Sequence, residues 1–229
     1  MAPRHEDADT RIRRRRHLIS QVLVAGLIAV AFAEPVSVVH TALQKNGVSI
    51  YSLALFIVYF LTALRFFVGD ILHLDEDERT EDDRRGAEVK WFYDLSFIVF
   101  ECVILIFLGN LTSIEQSAAS RVDYFDLLGL LLAVDVFWIL SMGALRSQSK
   151  RRPASRFWRL WCRREIPYGW AGLNAGLLVV VWALRFHSAH DITAGHLWVL
   201  VGVNVIVFII DVFVLNYYMD REPTGAISP

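Results

Sequence analysis

Away from the span ends, one arginine and four carboxylates stand inside stretches of sequence that are otherwise apolar for the length of a membrane-crossing helix. They are Arg65, Asp94, Glu101, Asp135 and Asp211, with Asn204 as a neutral companion. An ionisable group at the centre of a bilayer costs about 2.5–3.5 kcal/mol on insertion scales, so such groups turn toward protein or water and by default mark an ion pathway. The chemistry open to this set is that of a proton relay or a small-cation site. Carboxylates take up and release a proton or coordinate a cation, and a guanidinium supplies permanent counter-charge and donors.

Spacing favours a shared interior. Asn204 and Asp211 are seven residues apart, as are Asp94 and Glu101, so each pair lies on one helical face. Glu101, Arg65, Asp135 and Asp211 each lie about eight to ten residues in from the end of their span, counted from Trp91, Leu74, Leu145 and Met219. At about 1.5 Å per residue, all four are expected on the order of 12–15 Å deep, in one layer. Asp94 extends this stripe toward the cytoplasm and Asn204 toward the outside. One arginine does not neutralise the three carboxylates of the layer. At least one acid is therefore expected to be protonated, to hold a cation or to touch water.

Four helices must carry these residues, and the sequence supplies six. Of 229 residues, 55% are hydrophobic, and they fall in blocks at approximately 17–34, 50–70, 91–110, 124–145, 168–186 and 194–219. Each is long enough to cross a hydrocarbon core about 30 Å thick. The expected fold is all-α, a polytopic membrane protein with six transmembrane helices in three helical hairpins. Residues 17–219 form a single domain, between a basic tail at 1–16, expected to be unstructured, and a short tail at 220–229. The connections leave no room for a soluble domain.

A net charge of −1 conceals strong segregation. Arg4, Arg11 and Arg13 to Arg16 precede the first span. Arg79, Arg84, Arg85 and Lys90 separate the second from the third, and a run from Arg146 to Arg164 separates the fourth from the fifth. The positive-inside rule then places both termini in the cytoplasm, in a cell membrane of the bacterial inner-membrane type. AFAEP at 31–35 has a cleavage-like look, but the apolar run before it is of span length and the segment is expected to remain. Glu34-Pro35 is expected to end the first span, since proline disfavours helix at the residue before it.

The connections carry their own signals. LDEDERTEDDRRGAEVK, from 74 to 90, reads as a solvated mixed-charge loop without calcium-loop spacing. SRFWRLWCRR sets Arg156, Arg159 and Arg163 on one stripe and Phe157, Leu160 and Trp161 on another. This is the pattern of a short amphipathic helix in the cytoplasmic headgroup layer, its arginines on anionic lipid. Gly172 and Gly176 have the G-x-x-x-G spacing that lets two helices approach closely. His187, His190, Asp191 and His196 gather at the last outer turn with the chemistry of a metal or pH-sensing site, though no zinc-enzyme spacing is matched. Asn110-Leu111-Thr112 fits a glycosylation pattern that is common by chance. Cys102 in a span and Cys162 in a loop give no disulfide framework.

No phosphate-binding glycine loop, nucleophile elbow, haem-spaced histidine pair or Cys-x-x-Cys is present in the sequence. No cofactor and no nucleic-acid partner is therefore expected. The leading expectation is a small channel or transporter moving protons or small cations, as a homo-oligomer in lipid. A second reading is a sensor or effector subunit that engages a cytoplasmic protein through its charged loops. The third is a membrane enzyme acting on lipid-linked substrates, for which the acids lie too deep.

Overall fold

The computed structural model describes residues 8–44, 47, 49–80, 87–112, 117–149, 168–188 and 192–214. It is all-helical, with no strand among the described residues. The helices are α1 (Ala8–Gln44), α2 (Ile50–Thr80), α3 (Ala87–Asn110), α4 (Ala118–Ser149), α5 (Tyr168–His187) and α6 (Ala194–Ile209). A π-helical turn, Ile210–Val214, follows α6 directly. All six helices are long and apolar enough to cross a membrane. The chain is thus a multi-pass integral membrane protein.

Several helices outrun the spans that hydropathy marks. α1 begins at Ala8, so residues 8–16, expected as an unstructured tail, are helical. α2 continues through LDEDERT to Thr80, where a loop was expected. Leu, Glu and Arg are good helix formers and offset the modest penalty of Asp once a preceding helix has supplied the nucleus, and hydropathy is blind to such polar extensions. The α-helix of the last span, expected to reach 219, gives way at Ile210 to the π-turn.

Inward faces follow one rule throughout. In α3 the buried positions include Asp94, Ile98, Glu101, Leu105, Leu108 and then Thr112. In α4 they include Tyr124, Leu128, Leu131, Asp135, Trp138 and Met142, in α5 Trp170, Asn174, Leu177 and Val181, and in α6 Leu197, Leu200, Asn204, Val207 and then Asp211. Steps alternate between three and four residues, the seam spacing of helices crossing at shallow angles. Every buried carboxylate and carboxamide of the spans sits on such a seam. Lipid faces are apolar instead, as at Val179, Phe186, Phe137 and Phe92.

α2 is the most enclosed span. It packs against α1, α3 and α6, while α3 packs on α4, α4 on α5, and α5 on α6. The widest packing joins α4 with α5, α1 with α3, and α2 with α6, partners drawn from different expected hairpins. Side-chain register gives their directions. Tyr93 with Ser141 and Asp94 with Trp138 make α3 and α4 antiparallel, and Asp126 with Arg185 and Asp135 with Asn174 do the same for α4 and α5. Thr62 with Asn204 and Arg65 with Asp211 make α2 and α6 parallel.

Pro35 does not end α1, which runs through it to Gln44. A proline inside a helix leaves the carbonyl four residues earlier without its N–H partner. That carbonyl belongs to Ala31, and the buried Tyr59 hydroxyl of α2 donates to it at 2.6 Å. A neighbouring helix thus makes the bond that proline removed, which is how membrane helices tolerate proline. Tyr59→Phe is expected to cost about 1–2 kcal/mol by leaving the Ala31 carbonyl unsatisfied in an apolar setting. Unfolding in a detergent titration reads this directly, and an unchanged midpoint would reassign Tyr59 to simple packing.

Glycines mark the closest approaches, but not where the G-x-x-x-G spacing suggested. Gly172 and Gly176 lie on the exposed side of α5, and a Cβ at Gly176 would meet nothing within 4 Å. Gly176 falls roughly half a turn from Asn174, away from the seam. Close approach occurs instead at Gly69 under Trp170, at Gly109 under Pro35 and Tyr59, and at Gly129 under Trp182.

Candidate functional site

A chain of polar contacts crosses the interior through four segments. The Arg65 Nε on α2 donates to Asp211 Oδ2 in the π-turn, an ion pair with both side chains fully buried. The same guanidinium donates through Nη2 to Asn174 Oδ1 on α5 at 2.9 Å. Asn174 Nδ2 then donates to Asp135 Oδ2 on α4 at 2.6 Å, and the Trp170 Nε1 donates to that oxygen at 3.1 Å. The result is a continuous run, Asp211 to Arg65 to Asn174 to Asp135.

Each segment holds its residue for a local reason. Arg65 lies three residues after Thr62 on the face of α2 turned to α6, and its long stem lets the guanidinium reach α5 as well. Asn174 fixes its own orientation, since its oxygen must face the arginine and its nitrogen the carboxylate. The Trp170 ring spreads beside Arg65, with the guanidinium carbon 5.1 Å from its centroid, in reach of cation–π attraction. It meets Phe66 edge-on. An ideal Cβ at Gly69 would lie 2.9 Å from the indole, so only glycine leaves space for it.

Asp211 keeps one oxygen, Oδ1, buried without a hydrogen-bond partner among the described residues. It sits in a π-helical turn, and single π-turns within helices often occur at functional sites. Toward the Tyr51 end, Thr62 donates to Asn204 Oδ1 at 3.3 Å while Asn204 Nδ2 returns to the Leu200 carbonyl at 3.0 Å. Toward the Trp170 end, Asp94 Oδ1 accepts from Trp138 Nε1 at 3.0 Å. Glu101 is fully buried on the seam of α3.

Arg65, Asp135 and Asp211 are therefore linked as one unit. Asp94 and Asn204 are buried in contacts of their own, on α3 with α4 and on α6 with α2. Two members of the unit, Asn174 and Trp170, went unmarked in the sequence reading, although both occupy the α5 seam four residues apart. The signal lay in Asn174 itself, a carboxamide inside an apolar span, which the nearby glycine spacing overshadowed. Its amide can bridge an arginine and a carboxylate that do not touch.

The histidine group between α5 and α6 is only partly described. The His187 and His196 rings stand 6.0 Å apart, nearly perpendicular. His196 Nδ1 accepts the Thr193 backbone N–H at 3.2 Å, serving the first turn of α6 as a cap. That is a structural task, and it occupies one ring nitrogen. His190 and Asp191 lie outside the described residues, as do Arg156, Arg159, Arg163 and Cys162. Among the described residues no three His, Cys, Asp or Glu side chains converge as metal ligands, and Cys102 is buried within α3. Nearby, Asp126 and Arg185 pair at 3.1 Å on a partly exposed surface, where such a bridge contributes little.

This arrangement can hold, donate and rearrange protons within an enclosed interior, and it offers permanent charge to stabilise an anionic acid. Comparison with known protein families, characterised proteins and solved structures gives no match, so the reading of the site rests on its own geometry.

Proposed function

We propose that this protein is a small membrane transporter or channel for protons or small cations, with Asp135, Asn174, Arg65 and Asp211 as its working interior. The observation that carries this reading is the continuity of that run. Three ionisable side chains from three segments, joined by one carboxamide, meet within a bundle whose core is otherwise mostly apolar. Such groups are rare in spans and face one another or a path. Two carboxylates against one guanidinium leave one net negative charge, which a single proton or monovalent cation neutralises. Asp94, Glu101 and Asn204 extend the polar positions toward the two ends. In this reading the arginine-rich connections hold both termini in the cytoplasm, in a bacterial-type inner membrane, with Arg156, Arg159 and Arg163 on anionic headgroups. Assembly as a homo-oligomer belongs to the same proposal.

Flux into proteoliposomes tests it. Wild type is expected to carry a pH-gradient-driven or cation current, and Asp135→Asn and Asp211→Asn, checked for monodispersity, to reduce it at least tenfold. An inactive wild type, with variants that only unfold more easily, would make the run a helix clasp and move attention to the cytoplasmic connections.

A further inference from the structure

The way the oxygens are already occupied narrows the species, and the place of Trp170 assigns it a part. Asp135 Oδ2 accepts two N–H groups, Asn174 Oδ1 accepts Arg65, and Asp211 Oδ2 accepts Arg65. A metal or alkali cation bound by protein oxygens needs several of them at about 2.3–2.6 Å for a calcium-sized ion. Here the guanidinium already stands where that cation would stand, and it repels a second one. A proton needs a single lone pair. Its uptake on Asp135 converts the carboxylate to a neutral carboxyl, takes nothing from the protein, and brings the Asp135, Arg65 and Asp211 set from one net negative charge to zero.

Trp170 lies between this carboxylate and one end of the bundle. The fifth span starts at Gly169 and the second closes at Gly69. Trp170 and Gly69 thus meet near the ends of these apolar stretches, one helical turn from Asn174 and Arg65. The indole is buried, donates to Asp135, spreads beside Arg65 and rests on a position where only glycine leaves it room.

We infer that the transported species is the proton, taken up on Asp135, and that Trp170 is the movable seal between that carboxylate and the nearer end of the bundle. This rests on the transport reading above. The charged groups facing Asp135 are Arg65 from α2 and Asp211 from the π-turn after α6, with Asp94 and Glu101 as the buried acids of α3. Trp170→Phe keeps a ring beside Arg65 and above Gly69 but lacks the N–H. Losing a charge-assisted hydrogen bond from the closed state is expected to raise the open population on the order of tenfold.

The experiment uses two readouts on the full chain in proteoliposomes: proton flux under a clamped membrane potential beside sodium and potassium flux, and labelling of Asp135 by a hydrophobic carbodiimide, located by peptide mass spectrometry. The reagent adds across a protonated carboxyl and needs no transport. Expected are proton flux without sodium or potassium flux, Asp135 labelling that quickens as pH falls, and about tenfold faster labelling and flux in Trp170→Phe. Asp135→Asn should abolish both signals. Equal labelling of wild type and Trp170→Phe overturns the seal whatever the flux. Sodium or potassium flux without proton flux overturns the proton while leaving transport standing. Faster labelling in Trp170→Phe with no flux of any ion upholds the seal over a protonatable acid and overturns the transport reading instead.

Discussion

Arg65→Gln is expected to destabilise the protein by about 3–5 kcal/mol, the cost of breaking a buried ion pair by removing one partner. The loss comes less from the pair's own attraction than from what stays behind. Asp211 would remain fully buried with its Oδ2 deprived of the arginine Nε, and its Oδ1 already has no hydrogen-bond partner among the described residues. Asn174 would lose the donor that orients it. Adding Asp211→Asn should recover part of the loss, because a neutral carboxamide opposite a neutral carboxamide no longer strands a charge. A double-mutant cycle in a detergent unfolding titration is expected to give a coupling of about 1–3 kcal/mol. Effects that add to within about 0.5 kcal/mol would mean that Arg65 and Asp211 do not depend on each other. Arg65→Lys is not expected to rescue, since Nε and Nη2 serve two partners on two segments and an ammonium is a single point donor.

Gly109→Val should be the most damaging change among the apolar contacts. A Cβ there would lie 2.9 Å from the Pro35 ring, 3.2 Å from the Ala31 carbonyl oxygen and 3.3 Å from the Tyr59 ring. Two of those neighbours are stiff, a proline ring and a backbone atom, and the third is engaged in the bond that compensates for the proline. Overpacking of this kind costs about 1–3 kcal/mol, and here it also pulls Tyr59 from Ala31. Thermal unfolding in detergent should show a loss at least as large as that of Tyr59→Phe. Gly202→Ala provides the internal contrast, since nothing lies within 4 Å of its added carbon and the change favours helix. If both glycine variants behaved alike, the junction of α1, α2 and α3 would be looser than these distances require.

Much of this architecture is legible in the sequence because the bilayer is a demanding solvent. Apolar length gives the six spans, since backbone groups in lipid must be satisfied within a helix. The seven-residue spacing of Asp94 with Glu101 and of Asn204 with Asp211 gives inward faces, since a charge turned to lipid is costly, and the structure buries all four. Hydropathy was poorer at boundaries. It ended the first span at about 34 and the second at about 70, because it weighs neither the hydroxyl a neighbour lends to a proline-freed carbonyl nor the low cost of extending an existing helix into charged residues.

What only the tertiary structure decided is partnership. Counting from the span ends makes Glu101, Arg65, Asp135 and Asp211 neighbours in depth, but which acid meets the arginine depends on the rotation and axial shift of whole helices. One residue of shift is about 1.5 Å along the axis and 100° around it, enough to exchange one partner for another. So Asp211 takes Arg65 directly, Asp135 is reached through Asn174, and Trp170 contacts both Arg65 and Asp135. The faces were set by the cost of burying charge, a property of each residue alone. The contacts were set by how side chains from different helices fill one another's space, and no single segment carries that information.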